Sequence, residues 1–225
     1  MMSTDHGGLE GGAPPPGLAA RMKQRTQSLH VQAERSGIVQ DMLRGDVTRQ
    51  GYALFLRNLL PAYLALEEGL ERLKSTPAFR GLAVRAVYRG PSLEADLAAV
   101  AGPEWADGLR LLPEGAAYAD RVARAAEGDG ARLIAHAYAR TLGDLNGGQV
   151  LRRLLGRLLG LDATGLSFYD FPEIEDMAAF RPAYRAALDG AADHIADPVA
   201  VIEEAAEAFR LNIALSEATR RAALA

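Results

Sequence analysis

The chain of 225 residues has no cysteine, which removes disulfides, thiolate metal sites and cysteine nucleophiles together and fits a reducing compartment. It has no basic excess. Lys and Arg number 25 against 29 Asp and Glu, a net charge of −4, which argues against a general nucleic-acid surface. No apolar run approaches the ~18–20 residues that span a bilayer, and no alternating stretch of useful length predicts a strand. None of His6, His30, His136 and His194 follows a glutamate by three residues, so the Glu-x-x-His pairs of di-iron bundles are missing. About half of the chain is apolar, and its length suffices for one substantial core. The expectation is an all-α, single-domain protein, soluble and cytoplasmic, with no nucleic-acid or membrane partner.

Residues 1–17 are rich in Gly and Pro and read as a disordered leader, with the helical domain over 18–225. The first helix is expected from Leu18 to about Ser36. In it Lys23, Thr26, His30 and Glu34 fall three and four apart, on one face. A carboxylate one turn after an imidazole can accept its Nδ1–H and leave Nε2 for iron; the same pair also reads as a solvated contact. Thr48 caps a helix to about Lys74, bent at Pro61, with Tyr63 among its core residues. Only short helices fit between Ser75 and Pro113. Pro113-Glu114 opens a further helix. Another, from about Asp176 to His194, carries Arg181 and Arg185 one turn apart, suited to carboxylates or to solvent. Asp197-Pro198 starts the last helix, with Phe209 on its buried side. His136 and His194 read as structural or exposed.

One stretch departs from ordinary composition. Asp129 can cap a helix running from about Gly130 to Gly160, and its middle holds Gly143, Asp144, Gly147 and Gly148. Each interior glycine costs roughly 1 kcal/mol against alanine. Gly143 and Gly147 are four apart, so the helix gains a strip without side chains, edged by a carboxylate and wide enough for a flat ligand. A tight helix–helix crossing is the alternative, and a kink is expected at the cluster. The leucines of Leu151–Leu159 read as a continuation of the core face rather than as a basic membrane-surface helix.

Read together, two segments resemble the heme oxygenases. They are Thr26-x-x-x-His30-x-x-Ala33-Glu34 and His136-Ala137-Tyr138-x-Arg140-x-Leu142-Gly143-Asp144-Leu145-x-Gly147-Gly148-Gln149. Tyr63 with Ala65-Leu66-Glu67-Glu68, Phe171-Pro172, Tyr184-Arg185 and Phe209-x-x-Asn212-Ile213 follow in family order. The resemblance implies a helical domain with heme b, both cofactor and substrate, between the first helix and the glycine-bearing one. It implies His30 as axial iron ligand, Glu34 orienting it, and Gly143, Gly147 and Gly148 against the macrocycle. Asp144 would anchor a distal water network, with Arg140 and Tyr63 in support. Lys23, Tyr138, Arg181 and Arg185 would meet the propionates, and Phe209 would line the pocket. The implied reaction consumes O2 and electrons, from a ferredoxin or a flavoprotein reductase, and gives biliverdin, CO and ferrous iron. A monomer is expected, and, with no hydrophobic tail at the carboxy-terminal end of the sequence, no membrane anchor of the kind some relatives carry is expected either. Gln27, Asn146 and Ala139 depart from residues common in mammalian members. A non-catalytic heme-binding or storage protein is the alternative function; it would have no use for Asp144.

Overall fold

The computed structural model describes residues 16–225; most of the leader expected over 1–17, and His6, lie outside the described residues. Among the described residues there are helices and no strands. In chain order they are α1 (Leu18–Glu34), α2 (Gly37–Arg44), α3 (Arg49–Leu73), α4 (Gly90–Ala101), the single turn α5 (Trp105–Gly108), α6 (Pro113–Ala125), α7 (Leu133–Ala137), α8 (Gly143–Leu159), α9 (Met177–Ala191) and α10 (Pro198–Ala223). A π-turn, Tyr138–Leu142, joins α7 to α8.

Thr48 and Asp197 cap as expected and Asp176 caps as well, whereas Asp129 accepts from the Ala131 N–H at 3.0 Å, ahead of a helix that starts only at Leu133. Thr48 Oγ1 accepts from the Gly51 N–H of α3 at 3.0 Å, Asp176 from Ala179 in α9 at 2.9 Å, and Asp197 from Ala200 in α10 at 3.0 Å. Each satisfies a donor that helix geometry leaves without an internal partner. Pro113 and Pro198 occupy first-turn positions, where their missing N–H costs nothing.

The two longest helices, α3 and α10, form the core together with α1, α4 and α6. Tyr52, Leu56, Leu59, Tyr63, Leu66 and Leu70 recur along the buried stripe of α3, and Val201, Ala205, Ala208 and Leu215 along that of α10. The glycine-bearing helix is tied to this frame by polar contacts on three sides. Tyr63 of α3, Asn212 of α10 and Tyr184 of α9 reach Asp144, Arg140 and Thr141 respectively. Beyond those ties it emerges from the core. Leu155 is the only fully buried leucine of the expected core run, and Leu158 is 40% exposed, which corrects the reading that the whole run continues the core face. No helix among the described residues is long and apolar enough to cross a membrane.

Candidate active site

Between α1 and the π-turn with α8 lies a cavity of two connected lobes. The outer lobe, about 600 Å³, has Lys23, Tyr138 and Arg185 at its mouth. The inner lobe, about 150 Å³, is floored by Phe55, Leu59 and Phe168 and reaches Asp144 and Arg140. His30, Glu34, Gly143, Gly147 and Phe209 line both.

His30 is exposed into this space, and its Nδ1 stands 3.6 Å from Glu34 Oε1. That is just beyond hydrogen-bond range, so the carboxylate flanks the ring without yet fixing it. The Phe209 ring lies 5.9 Å from the imidazole and limits its sideways movement. On the other wall, a Cβ built on Gly143 or Gly147 would meet nothing within 4 Å. Their bare faces front the cavity rather than a neighbouring helix, which decides against the helix-crossing alternative for these two. Gly148 differs. Its added Cβ would lie 3.2 Å from Tyr169 Cδ1, so this glycine makes room for a ring and only borders the inner lobe.

Behind the glycines, Asp144 is buried and accepts a hydrogen bond from the Tyr63 hydroxyl at 2.6 Å. Burial raises the Asp144 carboxyl to about 6, while the charge of Arg140, the Tyr63 hydrogen bond and the charge of Arg89 hold it from rising further. Arg140 donates to Asn212 Oδ1 at 3.1 Å and lies 5.6 Å over the Tyr63 ring. Several polar atoms around this carboxylate are buried without a partner: Arg140 Nε and the hydroxyls of Tyr118 and Tyr169. Buried polar groups that lack protein partners are characteristically satisfied by ordered water.

The structure thus brings His30, Glu34, Lys23, Tyr138, Arg185, Phe209 and the glycines to one cavity, with Tyr63, Arg140 and Asp144 on its inner side. Arg181 stands apart. It lines neither lobe but hydrogen-bonds the Leu145 carbonyl of α8, and borders an adjoining cleft with Arg185 and Asn146. Arg89, Tyr118 and Tyr169 are not among the expected site residues, because nothing beside them in the chain marks a role at the site. A buried arginine and hydroxyls reveal themselves only once the helices are packed. A π-turn lies immediately before the glycines where the kink is expected, one of the irregularities at which helices bend and a feature frequent at functional sites.

A family model described as heme oxygenase matches residues 16–218. Heme oxygenase 1 of Homo sapiens is 37% identical over 206 residues, covering 90% of this chain and 72% of that protein. Heme oxygenase 1 of Synechocystis sp. is 34% identical over 196 residues, covering 87% and 82%. Among solved structures, heme oxygenase-1 from Synechocystis in complex with heme aligns with a TM-score of 0.83 at 31% identity, over 93% of this chain and 96% of that one. The heme oxygenase from Leptospira interrogans aligns with a TM-score of 0.83 at 30% identity, over 90% and 100%. On this agreement of sequence and architecture, the chain belongs to the heme oxygenase family.

Proposed function

We propose that the cavity between α1 and α8 binds heme b, that His30 would be the residue holding its iron, and that Asp144 directs the oxygenation chemistry from the inner side. The chain is a heme oxygenase, an enzyme that degrades heme to biliverdin. The observation that carries the site assignment is the cradle: an open-faced glycine pair one turn apart, fronting the same space as His30. A flat macrocycle needs a wall without side chains, and the residues present fit that need.

Bound heme supplies the iron that activates O2 and the carbon skeleton that is cleaved, with CO and ferrous iron as the other products. The protein's own residues do the rest. Glu34 favours the tautomer with Nδ1–H, leaving Nε2 free. Gly143 and Gly147 let the backbone of α8 approach closely. Lys23, Arg185 and the Tyr138 hydroxyl offer a cationic, hydrogen-bonding rim for the propionates. Arg181 acts one step back, holding α8 in place through the Leu145 carbonyl. Asp144, fixed by Tyr63, exchanges protons with water among the buried groups that lack partners; a carboxyl near 6 can both hold and release a proton around neutrality. A storage protein would have no use for this buried acid–phenol pair. The electron donor is a ferredoxin or a flavoprotein reductase.

The test is to add hemin to the purified protein, record the spectrum, then supply a ferredoxin–reductase system in air. A one-to-one complex whose Soret band decays into a biliverdin spectrum with release of CO is expected. A complex that persists under electron supply would overturn the catalytic assignment, and failure to bind hemin would overturn the site.

A further inference from the structure

We propose that Asp189 determines which part of the cavity mouth the ligand's carboxylates occupy: it is a pinned negative charge that denies them the N-terminal end of α1 and leaves them the stretch between Lys23 and Arg185. The inference rests on the heme-site reading above and goes beyond it by assigning a residue that works through exclusion.

Three observations carry it. The N-terminus of α1 opens onto the cavity, since Ala19 and Ala20 line the outer lobe. A helix start with free N–H groups is by itself an attractor for carboxylates. This one has no side-chain cap of its own, because Gly17 stands at the cap position, and no acid lies in its first turn. The place is taken instead by a residue from α9: Asp189 Oδ1 accepts from the Ala19 N–H at 2.8 Å. A Cβ built on Gly17 would collide with this carboxylate, so the glycine leaves open the space that Asp189 occupies.

The third observation concerns charge. Asp189 lines the outer lobe together with Lys23 and Arg185, and Arg185 lies one turn before it on α9. None of the three makes an ion pair among the described residues. The two cations therefore remain available to a ligand, while the anion is already committed to a backbone donor. A dicarboxylate entering this mouth is attracted over one part of the rim and repelled at the other, and a flat molecule with both carboxylates on one edge is thereby given a preferred orientation.

Asp189→Asn separates charge from hydrogen bonding, because an asparagine carbonyl can still cap Ala19. The probes are hemin and hemin dimethyl ester, titrated into the full chain at low and high ionic strength. In D189N we expect hemin to bind about threefold more tightly at low salt, the order expected for removing one unit charge from a water-like mouth. The ester affinity should not change, and the gain for hemin should shrink in ~1 M salt. Asp189→Ala serves as the fold control: losing the cap should lower the melting temperature of the apo-protein, whereas D189N melts like the parent. A fold defect moves both ligands alike, so the ratio of hemin to ester affinity decides even if D189N melts low. An unchanged ratio overturns the proposal while leaving the heme site standing; a parent chain that binds neither ligand sinks both.

Discussion

Asp144 is placed where its own ionisation is unfavourable, and this has measurable consequences. Its carboxyl titrates at about 6 in the folded protein against an ordinary 3.8, because burial outweighs the help from Arg140, Tyr63 and Arg89. The folded chain therefore holds a proton between roughly pH 4 and 6 that the unfolded chain has released, and stability falls as pH rises through that window, by on the order of 2–3 kcal/mol. Asp144→Asn removes the penalty. Without heme, the variant should melt several degrees above the parent at pH 7.5, with the difference closing near pH 4. Its biliverdin production should collapse. In the parent that production should decline below about pH 6 as the Tyr63-bonded carboxylate becomes protonated. A D144N chain no more stable than the parent at pH 7.5 would show that Asp144 is better solvated than its burial indicates. His30 has the opposite character: it is exposed, so His30→Ala should shift apo stability by no more than about 0.5 kcal/mol. The same change should abolish turnover and weaken hemin binding, and added imidazole should restore turnover. The residues that were legible in the sequence are those with a local partner at helical spacing, such as His30 with Glu34. Arg89, Tyr118 and Tyr169 were not, since each gains its meaning from a group far away in the chain.

For the glycine-bearing element, the three glycines do different work despite similar local sequence. Gly143 has ordinary right-handed helical angles, φ −60 and ψ −50, and open space where a Cβ would go. Gly143→Ala should therefore stabilise the apo-protein by about 0.5–1 kcal/mol, the normal gain for alanine over glycine in a helix. It should at the same time weaken hemin binding, because the methyl group fills the cradle. Gly148→Ala has no such gain to offer: its Cβ would press on Tyr169, whose ring is buried and whose carbonyl is held by Gln149 Nε2 at 2.8 Å. Melting curves and hemin titrations of the two variants check the contrast, and equal behaviour would dissolve the distinction between cradle and packing glycines. Sequence pattern showed that something approaches this helix but not on which side. The helix starts were better specified, since Thr48, Asp176 and Asp197 cap within three residues of themselves. The π-turn had no comparable local marker. It is held by Tyr184 and Asn212, which arrive from α9 and α10.

Across the whole molecule, a second buried carboxylate lies away from the cavity and titrates in the reverse sense. Glu204 of α10 is 3% exposed and joins three helices, with His136 Nε2 of α7 at 2.9 Å from Oε1 and Arg121 of α6 paired to both of its oxygens. Burial would raise its carboxyl, but hydrogen bonds from His136 and Arg121 and their charges bring it down to about 2. The folded chain thus keeps this carboxylate ionised where the unfolded chain takes up a proton. The stabilisation is complete above about pH 4.5 and is lost as pH falls toward 2. Glu204 and Asp144 consequently shape opposite flanks of the apo stability profile: one makes stability rise with pH up to about 4.5, the other makes it fall from about 4 to 6. Glu204→Gln should flatten the acid flank and lower stability at pH 7 by about 1–3 kcal/mol, since charge-assisted bonds are exchanged for neutral ones. Asp144→Asn should flatten the other flank only. The two groups share no partner and lie on different helices, so the double variant should show both changes added within about 0.5 kcal/mol. Melting of the four apo-proteins between pH 2.5 and 8 measures this, and a strongly non-additive double variant would mean that the α6–α7–α10 tie and the cavity are energetically coupled through the π-turn between them.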